Sequence, residues 1–333
     1  MAFPFTPRAA LAAAVCGALV SVVPVAAPAA SFDVSLFFNE SDLFATQYKN
    51  WAADVDKRTQ GRVQLKPHYS GALTSVVETL NAVRRGVVPA GFTAAAFSSG
   101  AIPALGYLEA IGGMPNEPEA IVKAFGAVQP TLAGLFKKNG VELLWLQPSF
   151  DVLVACRDKH LKTPADWTGL KVRAAGRWQS AQVSAMGASP VAINPAEQYL
   201  ALQNKTVDCV LSVPNLAQSL KLYEVAPKIT LLRQNVNLSM YIMNPQSFGQ
   251  ILAEDQAALR QASAEAQTRT AGELKAAVAR SIDALKATGA DVYTLSGDEL
   301  KTAEQRMRGA FDKIAEASGD DGKALAAALK PYW

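Results

Sequence analysis

The side chains best suited to ligand recognition lie together near the middle of the chain, in the sequence GLKVRAAGRW, which begins at Gly169. Arg173 ends a short apolar segment, and its guanidinium can donate two hydrogen bonds to one carboxylate. The alternatives are a structural ion pair or an arginine that is solvated at a strand end. Arg177 could bind the same ligand or stabilise a closed form, and Trp178 could pack against the ligand's body. These residues indicate a candidate site for an organic anion.

No catalytic or metal-binding pattern accompanies these residues. The chain has two histidines, His68 and His160, which argues against a zinc site and a Ser-His-Asp triad. Its carboxylates show no recognisable spacing for hydrolysis. Cys156 and Cys209 lie in predicted strands. An exported protein could join them, but the pattern favours two buried, small apolar side chains. We therefore expect no catalytic residue, no metal and no cofactor.

Alternating strands and helices are predicted to position the site. The predicted elements are a turn and a short strand within residues 169–173, a helix over 177–186, a strand over 189–193, a helix from Pro195 and a strand over 206–212. Gly187 follows the first of these helices, as expected of a C-cap. This order is typical of an α/β domain with a mostly parallel sheet, in which ligands bind at the carboxyl ends of the strands.

The rest of the chain predicts a second unit of the same kind and a long connecting helix. Residues 32–92 again alternate strand, helix, strand, helix, strand. Residues 251–288 contain no Pro and no Gly except Gly272, which predicts one helix about 50 Å long. A last large helix is predicted over residues 297–318. The length of 333 residues allows two domains with cores of their own.

Composition and the amino terminus indicate an exported globular protein. Half of the residues are hydrophobic and 18% are charged, and the net charge of +3 is too small to argue for nucleic acid or an anionic membrane. Within the first 29 residues, one charge at Arg8 precedes an apolar run over residues 9–25, and a small-residue cleavage site lies at residues 27–29. Residues 1–29 therefore predict a secretory signal peptide.

An ordered set of short motifs resembles a known family. GLKVR, then GASPV, then a helix with Glu, Tyr and ALQ, then VD, spans about 40 residues in the order found in DctP-type solute-binding proteins of tripartite ATP-independent periplasmic (TRAP) transporters. The resemblance implies a two-lobed, type II-like α/β periplasmic binding fold, each lobe a mostly parallel sheet flanked by helices. It also implies a long helix that spans both lobes, and an interlobe cleft in which Arg173 holds a ligand carboxylate.

The resemblance also implies lobe boundaries and partners. Lobe 1 is expected to contain residues 30–148 and about 242–270, and lobe 2 residues 149–241 and about 271–333. The expected partners are a small organic acid and the small and large TRAP membrane subunits. The expected protein is a periplasmic monomer without enzymatic activity. A ligand-presenting subunit of a sensor and a secreted enzyme are the alternative functions.

The sequence departs from the family pattern at positions that would contact the ligand. After VD the family commonly continues Gly-Gln-Glu-Asn, whereas here Leu211 takes the Glu place and Ser212 the Asn place. An aromatic-Arg pair of many relatives is here Phe150-Asp151. These changes favour a small monocarboxylate with an apolar or aromatic body, although dicarboxylates and 2-oxo acids stay open. The predicted ligand-binding residues are Phe37, Phe150, Asp151, Arg173, Arg177, Trp178, Leu211, Ser212 and Asn244.

Overall fold

Short apolar segments alternate with amphipathic helices along most of this chain, and they form two sheets covered by helices. The computed structural model describes residues 1–2, 29–149, 151–234 and 238–332. Most of the predicted signal peptide, residues 1–29, lies outside these ranges, and so does the predicted site residue Phe150.

Eleven strands of four to six residues occur within the described ranges. They are β1 (Ala30–Ser35), β2 (Val63–His68), β3 (Ala90–Ala94), β4 (Glu142–Gln147), β5 (Leu153–Cys156), β6 (Lys171–Ala174), β7 (Ser189–Ala192), β8 (Cys209–Ser212), β9 (Lys228–Leu231), β10 (Ser239–Met243) and β11 (Asp291–Thr294). Strands of this length are typical of globular domains.

The strands form one sheet in each lobe. The first sheet has the order β2-β1-β3-β10-β4, and the second has the order β11-β9-β5-β8-β6-β7. β10 is antiparallel to both of its neighbours in the first sheet, and β5 is antiparallel to both of its neighbours in the second. Each of these strands follows a segment in which the chain crosses from the other sheet. Because β10 begins at Ser239, the chain returns to the first sheet before residue 239, earlier than the predicted boundary at 242.

Helices cover both sheets. In the described residues they are α1 (Leu43–Arg58), α2 (Thr79–Arg84), α3 (Ala95–Ser98), α4 (Gly106–Glu109), α5 (Pro118–Lys138), α6 (Pro164–Trp167), α7 (Arg177–Met186), α8 (Gln198–Gln203), α9 (Pro214–Ser219), α10 (Pro245–Gly249), α11 (Ala253–Ala287), α12 (Gly297–Arg308) and α13 (Ala310–Leu329). Short 3₁₀ turns occur at Pro103–Leu105, Pro195–Glu197, Leu222–Glu224 and Lys330–Tyr332. None of the described helices combines the length and apolar character that a membrane span requires.

The helix α11 joins the two lobes. Leu259 and Ala262 near its start are buried in the core of the first lobe, and Leu285 near its end is buried in the core of the second. The indole N–H of Trp51 on α1 donates to the hydroxyl of Ser263 at 3.1 Å. The 35 residues of α11 span about 50 Å. The predicted long helix across both lobes is confirmed.

The carboxyl-terminal region differs from the prediction. Two helices, α12 and α13, replace the single helix predicted over residues 297–318. Ile314, Leu325 and Leu329 of α13 are buried with residues of α5 in the core of the first lobe. Lobe 2 therefore does not contain all of residues 271–333. An amphipathic pattern indicates that a helix has an apolar face, but it does not indicate which part of the protein covers that face.

Cys156 and Cys209 are joined by a disulfide. They are directly opposite each other on the neighbouring antiparallel strands β5 and β8. The preferred sequence interpretation, two buried thiols, is therefore wrong. The pairing depends on the register of two strands whose cysteines are 53 residues apart in sequence, and that register is a property of the assembled sheet.

Replacing both cysteines by alanine should destabilise the protein. A crosslink across 53 residues restricts the unfolded chain, so C156A/C209A should lower the free energy of unfolding by about 2–4 kcal/mol. Urea unfolding of the mature chain would measure this loss. Reduction should destabilise the wild type by a similar amount and leave the double variant unchanged. Equal unfolding midpoints for the oxidised wild type and the variant would contradict the expectation.

Candidate functional site

A cavity lies between the two lobes, where several strands end. Its empty space is about 550 Å³, including its opening to solvent. Phe37 follows β1 and Ala94 ends β3 in the first sheet, whereas Arg173 lies near the end of β6 and Ser212 ends β8 in the second. The cavity is therefore an interlobe cleft at the carboxyl ends of the strands, the usual place for a ligand in an α/β fold.

Arg173 is a buried cation without a counter-charge. Its side chain is 3% exposed, its Nε donates to the carbonyl of Ile193, and its Nη1 donates to the carbonyl of Leu211, both at 2.9 Å. Among the described residues, its Nη2 has no hydrogen-bond partner and no carboxylate is paired with the guanidinium. Burial lowers the pKa of Arg173 to about 9, so the guanidinium stays charged at neutral pH.

Two further polar groups in the cavity lack partners among the described residues. Gln198 at the start of α8 is fully buried, and neither its Oε1 nor its Nε2 has a hydrogen-bond partner. The hydroxyl of Ser212 is also unpartnered, and this residue is 8% exposed. Buried polar groups in proteins are normally hydrogen bonded. Arg173, Gln198 and Ser212 therefore leave hydrogen-bonding capacity that a ligand or water can use.

Aromatic side chains form much of the first-lobe wall of the cavity. The ring of Phe92 lies 5.4 Å from that of Phe37 and 5.7 Å from that of Phe44. It also lies 5.1 Å from the ring of Tyr241, which stacks on Trp145 at 4.4 Å. The wall is thus continuous with the aromatic core of the lobe. Such interlocked rings give the cavity a fixed apolar surface.

Four of the predicted site residues meet in this cavity. Phe37, Arg173, Leu211 and Ser212 all line it. Leu211 contributes its side chain to the lining and its carbonyl to the hydrogen bond that holds Arg173. The contact of these four side chains with a ligand stays a prediction.

Arg177 and Trp178 do not line the cavity, although both are predicted to face the cleft. The ring of Trp178 is buried in the core of the first lobe, where it packs beside Ile314 and Gly106. Arg177 is exposed, and its guanidinium lies over the Trp178 ring at 4.1 Å from the centroid. The next residue, Gln179, lines the cavity instead. Successive residues of a helix point in directions about 100° apart. A shift of one residue along α7 therefore changes which side chain faces the cavity.

Asn244 and Asp151 also lie outside the cavity lining. The Oδ1 atom of Asn244 caps α10 by accepting from the backbone N–H groups of Gln246 and Ser247, and its Nδ2 donates to the carbonyl of Val83. Asp151 is fully buried where the chain first crosses between the lobes, with Oδ2 at 3.7 Å from Nη1 of Arg233. Burial raises the pKa of Asp151 to about 7.

The amino terminus of α7 is capped from the other lobe. Glu109, fully buried at the end of α4, accepts hydrogen bonds from the backbone N–H groups of Trp178 at 2.6 Å and Gln179 at 3.2 Å. Gly176 permits this approach, because a Cβ at that position would lie 2.5 Å from Oε1 of Glu109 and 2.5 Å from the carbonyl oxygen of Ala96. A negative charge at a helix amino terminus also stabilises the helix dipole.

A second buried carboxylate joins the lobes through α9. Asp42 accepts hydrogen bonds from Nδ2 of Asn215 at 3.0 Å and from the hydroxyl of Ser219 at 2.7 Å. It also caps α1 by accepting from the backbone N–H of Phe44. Burial raises the pKa of Asp42 above its ordinary value. Asp42 and Glu109 thus hold helices of the second lobe against the first.

Several cavity residues are absent from the predicted site. They are Phe44, Phe92, Phe97, Gln179 and Gln198, with Ser149 and Ser239 at the crossing segments. From its neighbours in sequence alone, a glutamine next to a helix start is predicted to be exposed to solvent. The available signal for Gln198 was its place directly after Pro195–Glu197, a turn that follows the carboxyl end of a strand.

A family model and curated relatives match this chain over most of its length. The model of the DctP family, described as "Bacterial extracellular solute-binding protein, family 7", matches residues 35–318. The ectoine-binding periplasmic protein TeaA of Halomonas elongata is 23% identical over 295 residues, which cover 85% of this chain and 83% of that protein.

Solved structures share the fold. DctP7 of Bordetella pertussis, described as an extracytoplasmic solute receptor binding pyroglutamic acid, aligns with a TM-score of 0.85 at 20% identity, over 91% of this chain and all of that one. The sugar acid binding protein DctPAm of Advenella mimigardefordensis, in complex with galactonate, gives 0.85 at 18% identity, over 92% and 99%. The ectoine-binding protein of the TeaABC TRAP transporter of H. elongata gives 0.83 at 20% identity, over 90% and 98%.

Adding a side chain at Gly176 should disturb the contact between the lobes. In G176A the new methyl group would overlap the Glu109 carboxylate and the Ala96 carbonyl, and we expect a loss of about 1–3 kcal/mol in the free energy of unfolding. G272A is the matched control, because this exposed helical glycine has open space around its Cβ position. Urea unfolding of both variants would test the expectation, and equal stabilities would contradict it.

Glu109 should make the stability depend on pH. Burial raises the pKa of Glu109 to about 7 from 4.5, despite the hydrogen bonds from Ser99 and two backbone N–H groups. The folded protein therefore holds this proton more tightly than the unfolded chain does. The resulting stability is complete below pH 4.5 and is lost as the pH rises through about 7.

The variant E109Q should lack this dependence. Relative to E109Q, the wild type should lose on the order of 3 kcal/mol of unfolding free energy over this pH range. Urea unfolding at a series of pH values would measure the difference, with E273Q on the exposed face of α11 as a control. Parallel pH profiles for E109Q and the wild type would show that Glu109 does not cause the dependence.

Proposed function

We propose that this chain, which belongs to the DctP family of bacterial extracellular solute-binding proteins, captures a small organic acid that has one carboxylate and an apolar body. The protein is a periplasmic solute-binding protein that serves transport, and it is not an enzyme. TRAP solute-binding proteins bind a small molecule and work with membrane subunits. In the proposal, this chain closes its cleft around the acid and delivers it to the small and large subunits of a TRAP transporter.

The observation that carries the proposal is the unpaired charge of Arg173. A buried guanidinium without a counter-ion is unfavourable, because the loss of hydration is not offset by an opposite charge. The backbone carbonyls of Ile193 and Leu211 accept from two of its nitrogens, and no described residue accepts from Nη2. A carboxylate in the cavity would supply both the missing charge and the missing acceptor.

The lining of the cavity supports an acid with a single carboxylate. Arg173 is the one cation among the described residues that line it, so a second carboxylate would have no charged partner there. Arg177 is outside the lining, and Arg233 lies beside Asp151 at the crossing between the lobes. The phenylalanines and Leu211 would cover an apolar or aromatic body.

The relatives support the chemical class and leave the individual acid open. One structural neighbour binds pyroglutamic acid and another was solved with galactonate. The shared fold therefore accommodates acids whose bodies differ widely in polarity. Because this chain has Leu211 and Ser212 where the family commonly has Glu and Asn, the proposal assigns it a less polar acid.

Replacing Arg173 by glutamine should remove most of the acid binding. A thermal-shift screen of aliphatic, aromatic, 2-oxo, dicarboxylic and sugar acids, with neutral analogues, would first identify a bound acid, because a ligand of the native state raises the melting temperature. Calorimetric titration should then show that R173Q binds that acid about 100-fold more weakly, a loss of about 3 kcal/mol.

The control is R177A, which removes the neighbouring positive charge outside the cavity lining. We expect its affinity to stay within about threefold of the wild type, since an exposed charge contributes little. Wild-type affinity in R173Q would contradict the anchoring role of Arg173. Stabilisation by dicarboxylates or neutral amines, without any monocarboxylate, would contradict the proposed ligand class.

A further inference from the structure

Gln198 is the most unusual polar side chain of the cavity apart from Arg173. It is the first residue of α8 and follows the turn Pro195–Glu197. Its side chain is fully buried and lines the cavity. Both ends of its amide, the acceptor Oε1 and the donor Nε2, lack a hydrogen-bond partner among the described residues.

The surroundings of Gln198 do not provide these missing partners. Most of the other residues that line the cavity are apolar, such as Pro195 and Val213, and have no side-chain hydrogen-bonding groups. Gln179 also lines the cavity, but its amide is used by the protein: Oε1 accepts from the backbone N–H of Ala175, and Nε2 donates to the carbonyl of Glu109. Gln198 therefore differs from Gln179 in that no described residue uses either end of its amide.

A primary amide has a distinct recognition pattern. Its oxygen accepts and its nitrogen donates, and the two atoms lie side by side in one plane. A carboxylate cannot complement both atoms because it only accepts, and a hydroxyl offers a single atom. An amide N–H beside its own C=O, as in a lactam or a primary carboxamide, complements both atoms at once. An apolar group in the same place would leave the Gln198 amide unpaired, which is unfavourable in a buried site.

We infer that Gln198 selects organic acids that also carry a lactam or carboxamide group. This inference rests on the proposed function, since Arg173 would hold the carboxylate while Gln198 pairs with the amide edge. The rings of Phe37 and Phe92 would cover the planar body between these two groups. The Ser212 hydroxyl provides one further donor or acceptor for the carboxylate or the amide.

Two acids of equal ring size would test the inference. Pyroglutamic acid has a five-membered ring with a lactam, and cyclopentanecarboxylic acid has the same ring and carboxylate without the amide. Calorimetric titration of the full mature chain should give at least about tenfold tighter binding of one enantiomer of pyroglutamate. This comparison uses the wild type and needs no variant.

The variant Q198L then tests which residue causes the preference. Leucine has a similar size and cannot pair with an amide, so the preference should fall to less than about threefold. The loss should come from weaker binding of pyroglutamate, whereas cyclopentanecarboxylate, which leaves no amide unpaired in the variant, should bind Q198L at least as tightly as it binds the wild type. R173Q should weaken the binding of both acids. Circular dichroism and the melting temperature of the unliganded variants would verify that they fold.

The outcomes separate this inference from the proposed function. Equal binding of the two acids by the wild type would overturn the role of Gln198 and leave Arg173 as the carboxylate anchor. A lactam preference that persists in Q198L would also overturn it. If the wild type bound neither acid and no acid in the thermal-shift screen, both the inference and the proposed function would fall.

Discussion

The buried and unpaired charge of Arg173 is the constraint on which the site depends. A guanidinium at 3% exposure needs fixed acceptors, and the second lobe supplies them from two separate segments, the carbonyl of Ile193 after β7 and the carbonyl of Leu211 on β8. These bonds orient the side chain and use part of its hydrogen-bonding capacity. The remaining nitrogen and the net charge stay available, so the protein alone does not complete this site.

The buried position of Arg173 between the lobes strengthens its electrostatic interactions. Some of the contacts where the lobes meet are made by buried side-chain carboxylates. Glu109 of the first lobe caps α7 of the second, and Asp42 holds α9 in the same way. Burial raises the pKa of both carboxyl groups. The same loss of solvent that disfavours these charges strengthens a hydrogen bond between Arg173 and an anion.

The fold that holds this site is shared with proteins of low sequence identity. The sheets, the long helix and the disposition of the lobes are shared with structures of about 20% identity. Binding residues can change on such a scaffold without altering its core, so a shared fold does not specify the ligand. In this chain, Leu211 and Ser212 line the cavity together with Gln198, whose amide has no hydrogen-bond partner among the described residues.

The sequence by itself determined the features that depend only on residues close together in the chain. Local periodicity and residue type predicted the helix over Arg177–Met186 and its Gly187 cap. They also predicted the long helix α11 and a cation at the end of a strand. The tertiary structure alone decided the rest. The Cys156–Cys209 bond depends on the register of two strands. The position of α13 depends on which apolar surface covers its apolar face. The rotation of α7 decides that Gln179 lines the cavity and that Trp178, which was predicted to do so, does not. These are contacts between residues far apart in sequence, and local patterns specify that a side chain is buried without specifying its neighbours.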